Sequence, residues 1–119
     1  MNSKLLLALA AKGCETEKML HETFMDMEPF YEKMLRRLPE STALQRLRDA
    51  FEANDVNAAF EAAHELKGLY ANLGLTPAKD RCSEIVEILR PKTGFGDIAA
   101  LLPELEAIHA DLLQTILPR

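Results

Sequence analysis

Hydrophobic residues recur at three- and four-residue intervals along almost the whole 119-residue chain, and prolines and glycines cut that pattern into segments. Such spacing predicts amphipathic helices. A first short helix is expected near 3–12, stopped by Gly13 in a C-terminal cap. A second spans about 15–26, with Met19, Leu20 and Phe24 at helical spacing. Proline fits only a first turn, so Pro29 places a third helix from near Met27 to Leu38, ended by Pro39. Glu40 or Ser41 then opens a fourth, with Leu44, Leu47 and Phe51 on one face, ending near Ala53. Asn54-Asp55 is a tight turn that caps a long helix running to Leu73 and stopping at Gly74. Thr76 before Pro77 is a start signal for the next helix, which carries Cys82, Ile85, Val86 and Leu89 inward and stops before Pro91. After the longest break, Pro91 to Gly96, Asp97 caps a last helix to about Leu117. Pro103 lies beyond its first turn and predicts a kink or a later start.

Alternating Val, Ile and Thr runs are absent, so no strand is predicted. Helices joined by short loops predict an all-α fold, an up-and-down four-helix bundle with additional short N-terminal helices. One domain is expected over 1–119, with a bundle core at about 40–117 and the N-terminal helices at about 3–38.

Charge and cysteine content narrow the function classes. The net charge of −5 argues against wholesale nucleic-acid binding, which needs a basic face. Cys14 and Cys82 are far apart in sequence, with no CxxC spacing, and read as reduced core thiols. The apolar run Leu5 to Ala11 is too short to span a membrane. A cytoplasmic monomer without membrane association is therefore expected. The methionines read as core filling, and His21 and His109 as ordinary surface residues.

Candidate chemistry concentrates on the helix that follows Asn54-Asp55. At about 100° per residue, Ala59, Ala62, Leu66, Leu69, Tyr70 and Leu73 gather on one side of it. His64 falls on the opposite side, with Asn57, Glu61 and Gly68. Lys67 and Phe60 lie to one flank, and Ala71 on the same side. Glycine inside a helix costs about 1 kcal/mol relative to alanine. Close approach of another molecule to His64 would account for it. Phe60 has two open placements: an exposed apolar patch beside the histidine, or core beneath the first helices.

A metal site on this helix would need a second ligand three or four residues on, where Lys67 and Gly68 stand, so none is expected. Hydrolytic nucleophile, P-loop and dinucleotide motifs are absent. An exposed imidazole attacking a phosphoryl group delivered by a partner fits best. Lys67 would stabilise the transferring charge, and Gly68 would let the partner close over His64. The chain would be a phosphoryl carrier rather than an autonomous enzyme, with no kinase activity. It would hold no cofactor of its own, the Mg²⁺ belonging to the partner.

These residues resemble the histidine-containing phosphotransfer (HPt) domain of two-component phosphorelays. That family has a histidine followed by lysine at +3, glycine at +4 and glycine at +10, here His64, Lys67, Gly68 and Gly74. Ala63 and Leu66 also match, as do Cys82 to Ile85, Leu89 and Arg90 downstream. The resemblance is clear over about 40–90. It implies a four-helix bundle with His64 as phosphoacceptor, exchanging phosphate with the aspartate of a response-regulator receiver domain, fed by a hybrid or upstream histidine kinase. Lys67 would support the charge and Gly68 give clearance. Phe60, Glu61, Glu65 and Ala71 are the candidate receiver-docking residues. Two departures stand out: Leu69 and Tyr70 where small residues are common, and Glu65 where a neutral residue is common. Leu69 and Tyr70 fall on the core side and would change packing more than chemistry, whereas the charge of Glu65, with that of Glu61, predicts partner selectivity rather than lost function. Met1 and the absence of kinase or receiver signatures lead us to expect a free-standing module. The alternative is a phosphorylation-independent helical interaction module docking partners through the His64 face.

Overall fold

The computed structural model describes residues 1–117, so the last two positions of the expected 1–119 domain lie outside the described residues. Among the described residues, seven α-helices follow in chain order: α1 (Lys4–Ala11), α2 (Thr16–Glu22), α3 (Glu28–Leu35), α4 (Ala43–Glu52), α5 (Val56–Leu73), α6 (Thr76–Leu89) and α7 (Ile98–Ile116). A 3₁₀ turn, Leu38–Glu40, joins α3 to α4. No strand occurs among the described residues. The fold is the all-α helical bundle that the periodicity predicts.

α5 is the axis of the packing. It lies against α4 on one side and α6 on the other, and α6 packs on α7. Arg48 of α4 makes a two-pronged ion pair with Glu106 of α7, which joins the first and last of these four helices. Their buried faces form one apolar cluster with α1, α2 and α3. Thr16, buried in that cluster, donates its hydroxyl to the Leu6 carbonyl at 3.0 Å. Tyr31 of α3 stacks on Phe24 and donates its hydroxyl to the Leu73 carbonyl at 2.7 Å, fixing α3 to the end of α5. No helix among the described residues is long and apolar enough to cross a membrane.

Helix ends depart from the sequence expectations where turn chemistry wins over periodicity. α2 stops at Glu22 instead of near 26, because Met25 and Asp26 adopt left-handed backbone (φ +51° and +63°) and reverse the chain. α3 stops at Leu35 rather than Leu38. Pro39 has no amide to extend an α-helical ladder, and the chain tightens into the 3₁₀ turn. The N-cap of α6 is Leu75, one residue before the expected Thr76. Asp97 flanks α7, but its backbone carbonyl, not its side chain, accepts from Ala100 and Leu101. α7 begins at Ile98 and passes Pro103 without a restart. Pro103 and Ala99 are both exposed, so the helical hydrogen bond lost at Pro103 faces solvent.

Candidate functional site

α5 begins where the Asp55 carboxylate accepts from the Ala58 amide at 3.1 Å, after Asn54 turns the chain with φ +58°. It ends at Gly74, in left-handed backbone with φ +71°. Ala59, Ala62, Ala63, Leu66, Tyr70 and Leu73 are buried, and His64 is exposed on the opposite side. Two positions refine the expected core stripe. Leu69 is only half-buried. Ala63 belongs to the core, facing α6, where the Cys82 thiol donates to its carbonyl at 3.3 Å.

The two glycines of the motif stand in opposite surroundings. Apart from its chain neighbours and the backbone of its own helix, nothing in the protein lies within 4 Å of where a Gly68 side chain would begin. A side chain at Gly74 would meet the Tyr31 hydroxyl at 2.8 Å and the Met19 Cβ at 3.2 Å. Gly74 is thus required by the fold itself, through its positive φ and through packing. Gly68 is required by nothing in this chain.

The flanks of His64 carry different charge. Toward α4, Glu61 and Glu65 are exposed, and Glu65 pairs with Arg46. That pair tempers the acidity expected at position 65. Toward α6 lie Phe60 and Lys67, both half-buried. The Phe60 ring stands 5.9 Å from the His64 ring, centroid to centroid. Two cations sit over it, with Arg90 Cζ at 5.6 Å and Lys92 Nζ at 5.1 Å. Phe60 is therefore covered by the chain leaving α6, not by the N-terminal helices. Arg90 is bound to Glu87, and its hydrogen bond and charge, with a further contribution from Lys67, hold the Glu87 carboxyl below its usual range. Of the ion pairs formed among the described residues, none engages Lys67 or Lys92.

Three residues here, Arg46, Lys92 and His109, carry no signal in local sequence spacing. Arg46 has no motif signal and reveals itself only through its contact with Glu65. Lys92 sits in an aperiodic loop. His109 is not an ordinary surface residue. It is half-buried, and its Nδ1 meets the Tyr70 hydroxyl at 2.7 Å. Burial lowers the pKa of His109 and raises that of Tyr70, so both shifts favour the uncharged form of each partner. His21 is exposed, as expected, and pairs with Asp26. Ala71 is half-buried on α5. Among the described residues, no three His, Cys, Asp or Glu side chains gather as a metal site.

A family model described as "Hpt domain" matches residues 30–116, well over half of the chain, from within α3 to the end of α7. Comparison with curated proteins and with solved structures gives no match.

Proposed function

The chain belongs to the Hpt domain family, and on that premise we propose that it is a phosphorelay intermediate in which His64 accepts a phosphoryl group from a receiver-domain aspartate and passes it to another receiver. The lone pair on one ring nitrogen of His64 attacks the phosphorus of the aspartyl phosphate. The N–P bond forms as the P–O bond to the aspartate breaks, and the carboxylate leaves with the electron pair. The same steps in reverse deliver the group to the second receiver.

Lys67, one turn from His64, supplies positive charge to the phosphoryl oxygens as they pass. Gly68 leaves the space through which the receiver's site closes. The receiver brings the Mg²⁺ that neutralises the phosphoryl group on its own side. Phe60, Glu61, Glu65 and Ala71 form the rim on which it docks. Glu65 shares its charge with Arg46, so Glu61 presents the less compensated repulsion toward an acidic partner and weighs more in partner choice. No kinase activity belongs to the chain, and the role calls for a cytoplasmic, monomeric carrier.

The supporting observation is the empty space at Gly68 beside an exposed histidine. A mid-helix glycine costs about 1 kcal/mol, and nothing inside this protein recovers it. Incubation with receiver domains phosphorylated by acetyl phosphate tests the proposal. Acid-labile, base-stable label on the wild-type chain, lost in His64→Gln, is expected. Receiver binding unchanged in His64→Gln, with no label on either protein, would instead make this an interaction module.

A further inference from the structure

We propose that Lys92 is a docking cation that orients the phosphoryl-bearing partner toward the α6 side of the His64 face, an inference that rests on the phosphorelay role given above. The residue is held there by the fold. Lys92 takes φ +58°, a backbone conformation that side chains rarely adopt, and its amide donates to the Leu89 carbonyl at 2.9 Å. This turn at the end of α6 throws the chain back over Phe60 of α5. The Lys92 ammonium then lies 5.1 Å from the Phe60 ring centroid, within cation–π range. The same ring stands beside His64.

Two features single out Lys92. It is exposed and engages no carboxylate among the described residues, whereas Arg90 on the same ring is committed to Glu87. Its flank is also the cationic one, for Lys67 lies there, while Glu61 and Glu65 occupy the other. The chain carries a net charge of −5, so an anionic phosphoryl donor is repelled by most of the surface. Attraction is available on the α6 side, within the roughly 8 Å reach of charge at physiological salt. Steering of this kind acts on the rate of productive encounter and on orientation rather than on the chemical step.

The test uses the full chain and the receiver domain, phosphorylated with acetyl phosphate, that best labels the wild type from a receiver panel. Lys92→Glu is compared with Lys18→Glu, which makes the same charge change at an exposed position on α2. At low ionic strength we expect Lys92→Glu to slow second-order transfer by about tenfold and Lys18→Glu by less than about twofold. The gap should close near 0.5 M salt, where the screening length falls to a few ångströms, on the order of 4 Å. The rate at saturating receiver should not change. Phe60→Leu, which keeps apolar volume but removes the ring face, should give a smaller loss with the same salt dependence. If Lys92→Glu tracks Lys18→Glu at every salt concentration while the wild type is labelled, the docking role is overturned and the phosphorelay role stands. A lowered rate at saturating receiver would move Lys92 into the chemical step and overturn it equally. A wild type that takes no label from any receiver overturns both.

Discussion

Gly68 stands one turn beyond His64 on the solvent side of α5, and the space its side chain would enter is empty. Alanine at that position would meet no atom of this protein beyond its chain neighbours and the local backbone of α5, and would favour the helix. Gly68→Ala should therefore stabilise the free chain by about 0.5–1 kcal/mol in urea unfolding. The same substitution should slow phosphotransfer from a receiver, and Gly68→Gln should slow it further. Stability and transfer moving in opposite directions is the diagnostic. A destabilised Gly68→Ala would mean that the glycine serves the fold.

Gly74 should behave in the reverse way. Its left-handed φ and the 2.8 Å approach to the Tyr31 hydroxyl penalise any side chain. Gly74→Ala should cost about 1–3 kcal/mol by the same unfolding measurement. Provided the variant remains folded at the assay temperature, it should still accept label.

His109 gives the protein an acid-sensitive contact. Burial depresses its pKa below the ordinary 6.5, and its Nδ1 shares a 2.7 Å hydrogen bond with the Tyr70 hydroxyl. Above about pH 6.5 the imidazole is neutral whether the chain is folded or unfolded, and the contact contributes fully. As pH falls below that value the unfolded chain takes up the proton first, so stability declines until the folded value is passed. Urea unfolding across pH 5–8 should show this decline in the wild type. His109→Gln, which keeps an acceptor for Tyr70, should flatten the slope below about pH 6.5. Equal slopes in the two proteins would contradict the assignment.

Both cysteines should resist modification in the folded chain. Burial pushes the Cys14 thiol up to about 11 and the Cys82 thiol up to about 12. A thiol-reactive chromogenic disulfide at pH 8 should titrate none of them in native protein and both in urea. Rapid labelling of Cys82 before unfolding would show that α6 opens away from Ala63.

Much of the fold follows from period and punctuation. The helical pattern around Leu66 and Tyr70, the cap at Asp55 and the stop at Gly74 are local signals, and each was legible. The end of α2 was not, because left-handed Met25 and Asp26 carry no glycine to mark their turn, and α3 stops short of Leu38 because the chain tightens into a 3₁₀ turn ahead of Pro39. The solvent-facing side of His64 followed from the helical wheel alone. Its charged surroundings did not. Arg46 reaches Glu65 from another helix, and Lys92 reaches Phe60 from an aperiodic loop, so neither contact leaves a trace in local spacing. His109 looked like a surface residue for the same reason: its partner, Tyr70, lies on a different helix.

The most direct measurement is the location of the phosphoryl group after incubation with a phosphorylated receiver. The chain has three histidines, His21, His64 and His109, and site mapping by mass spectrometry under alkaline conditions separates them. We expect the group on His64, with labelling abolished in His64→Gln and retained in His21→Gln and His109→Gln. We also expect His64→Gln to unfold within about 0.5 kcal/mol of the wild type, as befits an exposed residue. Label on His21 or His109, or label that survives in His64→Gln, would contradict the assignment of His64 as the phosphoacceptor.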